Sequence, residues 1–418
     1  MRNGDMVVRN AYLASRDDVL DIAVSDGTIT AVGPGVEPET DGGGIRELDA
    51  AGNLVFPGFV DAHVHFDQAL SAMGERVPRH NEEPFDKDRN IARTVEYFEE
   101  TAAETLTDNA VECARMAVAN GVLHARVHTY VDRTVGTKVV EAILDARERV
   151  ADTFDMEVVA FPQRGLLDGP AVRRAVRESL ELGADLLGGI DPASINGDIE
   201  RTLEAWFEVA TEHDVDIDAH VHDAGTLGTF TLERFAEHAV QHGYEGRITA
   251  SHAFALADAA VRSGDPRVRG DPLESVLDAL ERADVGLTTS YPSTRPGMPI
   301  GRLQDRGIAV GQGSDELRDL WVPHGNADPI EGALVQSLRL DRSYTYSTNP
   351  GLARLWDLLT HGAADLLGIE GYGIEPGAPA DFVVTNAKSP QWAILEQADA
   401  ESVVRRGEVV AEDGRLVD

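Results

Sequence analysis

The chain runs to 418 residues with a formal net charge of −36 and a pI near 4.6. That acidity argues against nucleic acid and anionic membrane as partners, since both are held by basic surface. The single cysteine, Cys113, excludes an intrachain disulfide and a cysteine-based zinc cluster.

The basic residues are unevenly divided. Lysine occurs only at Lys87, Lys138 and Lys388, and arginine supplies the rest of the 37 basic residues. An acidic surface with scarce lysine is the composition expected of a halophilic protein, because like charges destabilise a compact fold unless counter-ions screen them. Thermal unfolding in graded salt tests this. The midpoint and the activity should both rise from dilute to molar salt, as the Debye length shrinks from about 10 Å at 0.1 M to about 3 Å at 1 M. A stability optimum in dilute buffer would show that the acidity is not salt adaptation.

In chain order, short β-like runs come first, Met6-Val7-Val8 and Asp21-Ile22-Ala23-Val24, broken by turns at Asp26-Gly27 and Gly33-Pro34-Gly35. The same texture returns after Ile374, in Asp381-Phe382-Val383-Val384 and across 402–410. Each end alone is too small to bury a core, so residues 1–57 and 369–418 are expected to pair into one small β-sandwich domain. Between them, over 58–368, short apolar strands alternate with longer amphipathic helices. That alternation predicts an α/β fold, a (β/α)8 TIM-type barrel, which needs roughly 250 residues or more.

The first barrel strand is read in Phe59-Val60-Asp61-Ala62-His63-Val64-His65-Phe66-Asp67, entered after Pro57-Gly58. In an extended segment residues i and i+2 share a face, so His63 and His65 point together while Val60, Val64 and Phe66 fill apolar space. Two imidazoles on one rigid strand supply half of a four- or five-coordinate metal site. Around Cys113 the apolar spacing reads as a helix with the thiol as a small buried residue. Further strands are expected over 123–127, 157–161, 217–220, 247–251, 285–288 and 309–311. With no charged-then-apolar leader and no apolar run of bilayer length, a cytoplasmic protein is expected.

Barrel enzymes carry their chemistry at the C-terminal strand ends, and here those ends read His63 with His65, His128, Gln163, His220 with His222 and Asp223, His252, and Asp315. One histidine so placed is as readily a packed core residue; a series at successive strands points to a site. His80, His124, His213, His238, His242 and His361 fall outside the series and are read as surface or core residues.

Several motifs in this order resemble the amidohydrolase superfamily over nearly the whole chain, and within it the cytosine deaminase branch, which also holds enzymes that remove amino groups from triazines. They are Val60 to Asp67, Ala119-Asn120-Gly121-Val122 leading to Arg126-Val127-His128, Val159-Ala160-Phe161-Pro162-Gln163, Thr249-Ala250-Ser251-His252, and Gly313-Ser314-Asp315-Glu316 followed by Trp321. The resemblance implies that His63, His65, His220 and Asp315 bind one divalent metal, zinc or iron, and that His252 hydrogen-bonds the activated water or the reacting centre. It implies that Gln163 binds the amide edge of a ring, with Glu316, Trp321 and His128 as further substrate-binding residues. The strand-four lysine that bridges two metals in other branches looks absent, with Gln163 in that region. A small nucleobase-like substrate and a homo-oligomer are further implications. In the family a glutamate three residues after the strand-five histidine moves the proton; here that position is Asp223, one methylene shorter, with His222 between.

The residue types suit hydrolytic deamination of a cyclic amidine on their own terms. A divalent cation supplies hydroxide at neutral pH, Asp315 can accept a proton from water, and a second acid, Asp223 or His222, protonates the ring nitrogen and the departing amine. Cytosine or a related aminopyrimidine is the first expected substrate and an ammelide-type amino-triazine the alternative. Cyclic amide hydrolysis is a further reading. A superfamily member that has lost catalysis would be expected to lack a ligand, and none of the four is missing.

Overall fold

Eight short runs dominated by apolar and small residues form the parallel sheet at the centre of the computed structural model, which describes residues 5–38, 44–73, 86–264, 270–291, 297–340 and 345–417. The strands are Phe59–Val64, Val122–Tyr130, Asp155–Phe161, Leu186–Ile190, Asp216–His220, Ile248–Ser251, Gly286–Ser290 and Val310–Gly313. They pair in sequence order, and at least one helix follows each, as a right-handed βα succession requires. The eighth strand returns to the first at the C-terminal rim: the Asp315 amide donates to the His63 carbonyl at 2.8 Å, and the His65 amide donates to the Asp315 carbonyl at 2.7 Å. Gly313 permits that approach, because a Cβ there would lie 2.3 Å from the His63 carbonyl oxygen. The expected barrel is therefore present.

Seven of these strands coincide with runs read from the sequence; Leu186–Ile190 does not. Its Leu-Leu-Gly-Gly-Ile sequence has two glycines, a composition that weakens a strand signal. They are there for packing: a Cβ at Gly188 would lie 2.7 Å from the Phe161 Cα, and one at Gly189 would lie 2.4 Å from the Trp206 ring. One expectation is corrected accordingly. Gln163 follows the third barrel strand, and the residue after the fourth is Asp191.

The terminal segments build two further sheets. Met6–Leu13, Asp18–Ser25, Thr28–Gly33 and Arg46–Asp49 form one; Val55–Pro57 joins Phe382–Thr385, Ala400–Arg405, Glu408–Glu412 and Arg415–Leu416 in the other. Phe56 pairs with Val383, so N-terminal chain is a strand of a mostly C-terminal sheet. Ile22, Val24, Phe382 and Val404 are buried in one shared core, which is how two short ends together remove enough apolar surface from water. Cys113 is buried within the helix Ala103–Ala119. No helix among the described residues is long and apolar enough to cross a membrane.

Candidate active site

The period-two geometry of an extended strand aims alternate side chains into the barrel, and the C-terminal rim gathers them. His63 and His65 come from the first strand and its end, His220 ends the fifth, and Asp315 follows the eighth. Nε2 of His65 and Nε2 of His220 are 3.2 Å apart. Asp315 Oδ1 lies 3.6 Å from His63 Nε2 and 3.9 Å from His65 Nε2. Ligands about 2.0–2.1 Å from a tetrahedral ion lie roughly 3.4 Å from one another, and these three separations are of that order; two overlapping groups, His63 with His65 and Asp315 and His63 with His220 and His252, have donor atoms all within 4.8 Å of one another. His63 Nε2 and His220 Nδ1 are also buried without a hydrogen-bond partner, a state that a packed core seldom tolerates. Burial holds His65 and His220 well below the usual imidazole range, reinforced by the neighbouring imidazoles, and so keeps them in the neutral form that a ligand needs. For Asp315, burial opposes ionisation, but His252 and His63 outweigh it and hold the carboxyl below its usual range. Imidazole nitrogens and a carboxylate are donors suited to a divalent first-row cation.

His252 follows the sixth strand, its Nδ1 3.2 Å from Ser290 Oγ and 3.9 Å from Asp315 Oδ2, with Nε2 buried and unpartnered. Asp191, His252 and Asp315 all have left-handed backbones, with φ of 29°, 68° and 61°. Non-glycine residues are held there only when their surroundings compel it, and such positions gather at functional sites.

Asp223, three residues after His220, is buried, and its Oδ2 has no hydrogen-bond partner. His222 takes a different position. Its side chain is 32% exposed, against 1% for His63, and its ring stacks on His252 with centroids 4.5 Å apart. Its amide donates to Asp191 Oδ1 at 2.6 Å, and its Nδ1 lies 3.1 Å from Asp191 Oδ2. Lys87, one of the three lysines, donates to the same oxygen at 3.3 Å. Sequence reading missed Asp191 because it missed the strand that carries it.

The remaining expected residues divide. Gln163 is half-buried in the turn after the third strand. Glu316 is buried and accepts from Gln68 Nε2 at 2.9 Å, and burial beside Asp319 and Asp315 pushes its carboxyl well up. The Trp321 indole donates to Thr94 Oγ1 at 2.9 Å, tying it to the helix Lys87–Glu100. His128 has no exposed surface; its ring packs on His63 at 3.9 Å between centroids. His213, His238, His242 and His361 lie in helices and His124 in the second strand, away from the cluster; His80 lies outside the described residues.

Below the imidazoles sits a layer that sequence reading did not single out. Asp61, Arg126 and Asp218 each precede an inward histidine by two residues, before His63, His128 and His220. Barrel interiors are dominated by branched apolar side chains, so buried charge at that depth calls for compensation. Arg126 finds it in ion pairs with Asp218 and Glu157, and Asp61 in hydrogen bonds. Asp61 accepts from the Ser314 amide and hydroxyl, and Arg126 donates to Glu157, Asp218 and Thr249. The signal was a charged residue followed two positions later by histidine, repeated on three strands.

Residues 94–411 match the model of the amidohydrolase family. The chain is 39% identical over 414 residues to N-isopropylammelide isopropyl amidohydrolase of Pseudomonas sp. (strain ADP), covering 99% of this chain and 98% of that one. It is 26% identical to pterin deaminase of Rhizobium rhizogenes, over 93% of this chain and 87% of the relative. Among solved structures, N-isopropylammelide isopropylaminohydrolase from Burkholderia multivorans superposes with a TM-score of 0.87 at 28% identity, covering 99% of this chain and 100% of that one. A 5-methylcytosine deaminase from Klebsiella pneumoniae superposes with a TM-score of 0.81 at 24% identity, over 99% and 98% of the two chains, a likeness of fold. The chain belongs to the amidohydrolase family.

Proposed function

We propose that the protein is a metal-dependent aminohydrolase that removes an amine from a ring carbon of an ammelide-type amino-oxo-triazine. The observation that carries the reaction class is the gathering of His63, His65, His220, His252 and Asp315 at the C-terminal rim, in overlapping groups with donor atoms within 4.8 Å of one another, with the buried Asp223 three residues after His220. The substrate class rests on the Pseudomonas relative, 39% identical across 99% of this chain. That relationship ranks the triazine ahead of cytosine or another aminopyrimidine, and the shorter acid at Asp223, where cytosine deaminases resemble one another in having glutamate, points the same way.

His63, His65, His220 and Asp315 would hold one divalent ion, zinc or iron, which when bound supplies hydroxide at neutral pH by lowering the pKa of water from about 15.7 to about 7. Asp315 also accepts the proton from the attacking water, with His252 near enough to orient its free oxygen. The water oxygen adds to the amine-bearing ring carbon while Asp223 delivers a proton to the adjacent ring nitrogen. The exocyclic C–N bond then breaks as the new hydroxyl gives up its proton, through the Asp223 carboxylate, to the departing amine; the ring keeps the oxygen as a carbonyl, and the proton held on Asp315 returns through solvent to Asp223 for the next turnover. Such proton transfer contributes roughly 10²–10⁴-fold. Gln163, Glu316, Trp321 and His128 are proposed to bind or back the ring. Gln163 is suited to a ring amide edge because one side-chain amide both donates and accepts.

The test is release of ammonia or alkylamine by the metal-reconstituted protein in high salt, from N-alkylammelides, cytosine and pterin in parallel. The highest kcat/KM is expected on an N-alkylammelide. Preference for cytosine would restore the aminopyrimidine reading, and ring opening without amine release would make the enzyme a cyclic amide hydrolase.

A further inference from the structure

We infer that Asp218 and Ser251 are positioning residues that fix the proton of His63 on Nδ1 and so leave Nε2 as the atom turned to the metal. The inference rests on the metal site proposed above and concerns a hydrogen-bond chain beneath it. His63 Nδ1 is 3.1 Å from Ser251 Oγ, and the Ser251 hydroxyl donates to Asp218 Oδ1 at 2.6 Å. The other carboxylate oxygen, Asp218 Oδ2, accepts from Arg126 Nη1 at 3.1 Å, and Arg126 Nε donates to Glu157 at 2.8 Å. Asp218, Ser251 and His63 have no exposed surface, and Arg126 is 5% exposed.

Donor and acceptor inventory sets the direction of the chain. A guanidinium has only donors, so the Asp218 oxygen facing Arg126 must accept. The ionised carboxylate offers only acceptors, so the other oxygen must also accept, and the single hydroxyl proton of Ser251 is committed to it. Ser251 can then meet His63 only as an acceptor, which places the imidazole proton on Nδ1. In the neutral ring the lone pair then lies on Nε2, the buried nitrogen without a hydrogen-bond partner 3.6 Å from Asp315 Oδ1. Each strand contributes through the same period-two face: Asp218 lies below His220, and Arg126 below His128. Outer partners of this kind hold a ligand ring in orientation and tautomer, and losing one typically weakens metal binding 10–100-fold.

Asparagine at 218 is the informative change. Arg126 still demands an oxygen, so the amide nitrogen must face Ser251 and donate to it. Ser251 then turns its proton to His63 Nδ1, and the imidazole proton moves to Nε2. The chain is reversed without loss of a hydrogen bond. Two readouts test this on the full-length protein: ¹⁵N shifts of labelled histidine in the metal-free state, with His63 assigned by its loss in His63→Asn, and competition between a chelator and Zn²⁺ alone. Metal-free wild type should show the Nδ1–H form at His63, and Asp218→Asn the Nε2–H form. Asp218→Asn and Ser251→Ala should each bind Zn²⁺ roughly 10–100-fold more weakly. The Nε2–H form in the wild type, or Ser251→Ala with wild-type affinity, would overturn the inference; the Ser251 variant decides even where a buried Asp218→Asn fails to fold. If wild type binds no Zn²⁺ but shows the Nδ1–H form, the metal reading falls while the proton order stands.

Discussion

Replacing His63 or Asp315 by alanine should yield a protein that folds, carries no tightly bound metal and has no measurable hydrolytic activity. Wild type should copurify with one equivalent of divalent ion, read by elemental analysis. Either substitution removes one of four donors and opens the donor set across the seam where the eighth strand meets the first. The expected effect on rate is large because the ionised fraction of the attacking water at pH 7 falls by roughly 10⁸ as its pKa returns from about 7 to about 15.7. Full activity in exhaustively demetallated protein would sink the mechanism.

The second large effect is expected at the proton-moving acid. Asp223→Asn keeps volume and polarity but cannot titrate, so kcat should fall roughly 10²–10⁴-fold with metal content unchanged. The structure separates the two candidate acids by their surroundings. Asp223 is buried with an unpartnered oxygen, whereas the Nδ1 of His222 is engaged by Asp191, which also accepts from Lys87. His222→Asn should therefore leave kcat within about an order of magnitude of wild type, well short of the loss of a general acid. Asp223→Glu restores the reach of the family's usual acid and should shift preference toward cytosine. Near-normal turnover in Asp223→Asn with a severe defect in His222→Asn would transfer the role to His222.

The parts of the site that were legible from sequence share one property: each lies at or just after the end of a short strand of the expected alternation. His63 and His65 announce themselves through period two, and His220, His252 and Asp315 through their position at such ends. Asp191 was not legible, because its strand contains Gly188 and Gly189, whose missing side chains make room for Phe161 and Trp206. That reason is tertiary and leaves no local trace in the chain. The Asp218–Ser251–His63 chain lies between these cases. Asp218 two residues before His220 is visible in the sequence, but its pairing with Arg126, 92 positions away, depends on barrel closure.

That the seam between first and eighth strands also carries the proposed ligands fixes when such a site could exist during synthesis. His63 and His65 leave the ribosome some 250 residues before Asp315, and the backbone hydrogen bonds that bring Asp315 to them form between those same residues. Contacts so distant in sequence form late, because the entropy of closing the loop precedes any reward from the contact. On the proposed metal site, a nascent chain would present two histidines that bind a cation only weakly, and high affinity would arrive in the step that closes the barrel. Capture of the ion is in this sense a report that the barrel is complete.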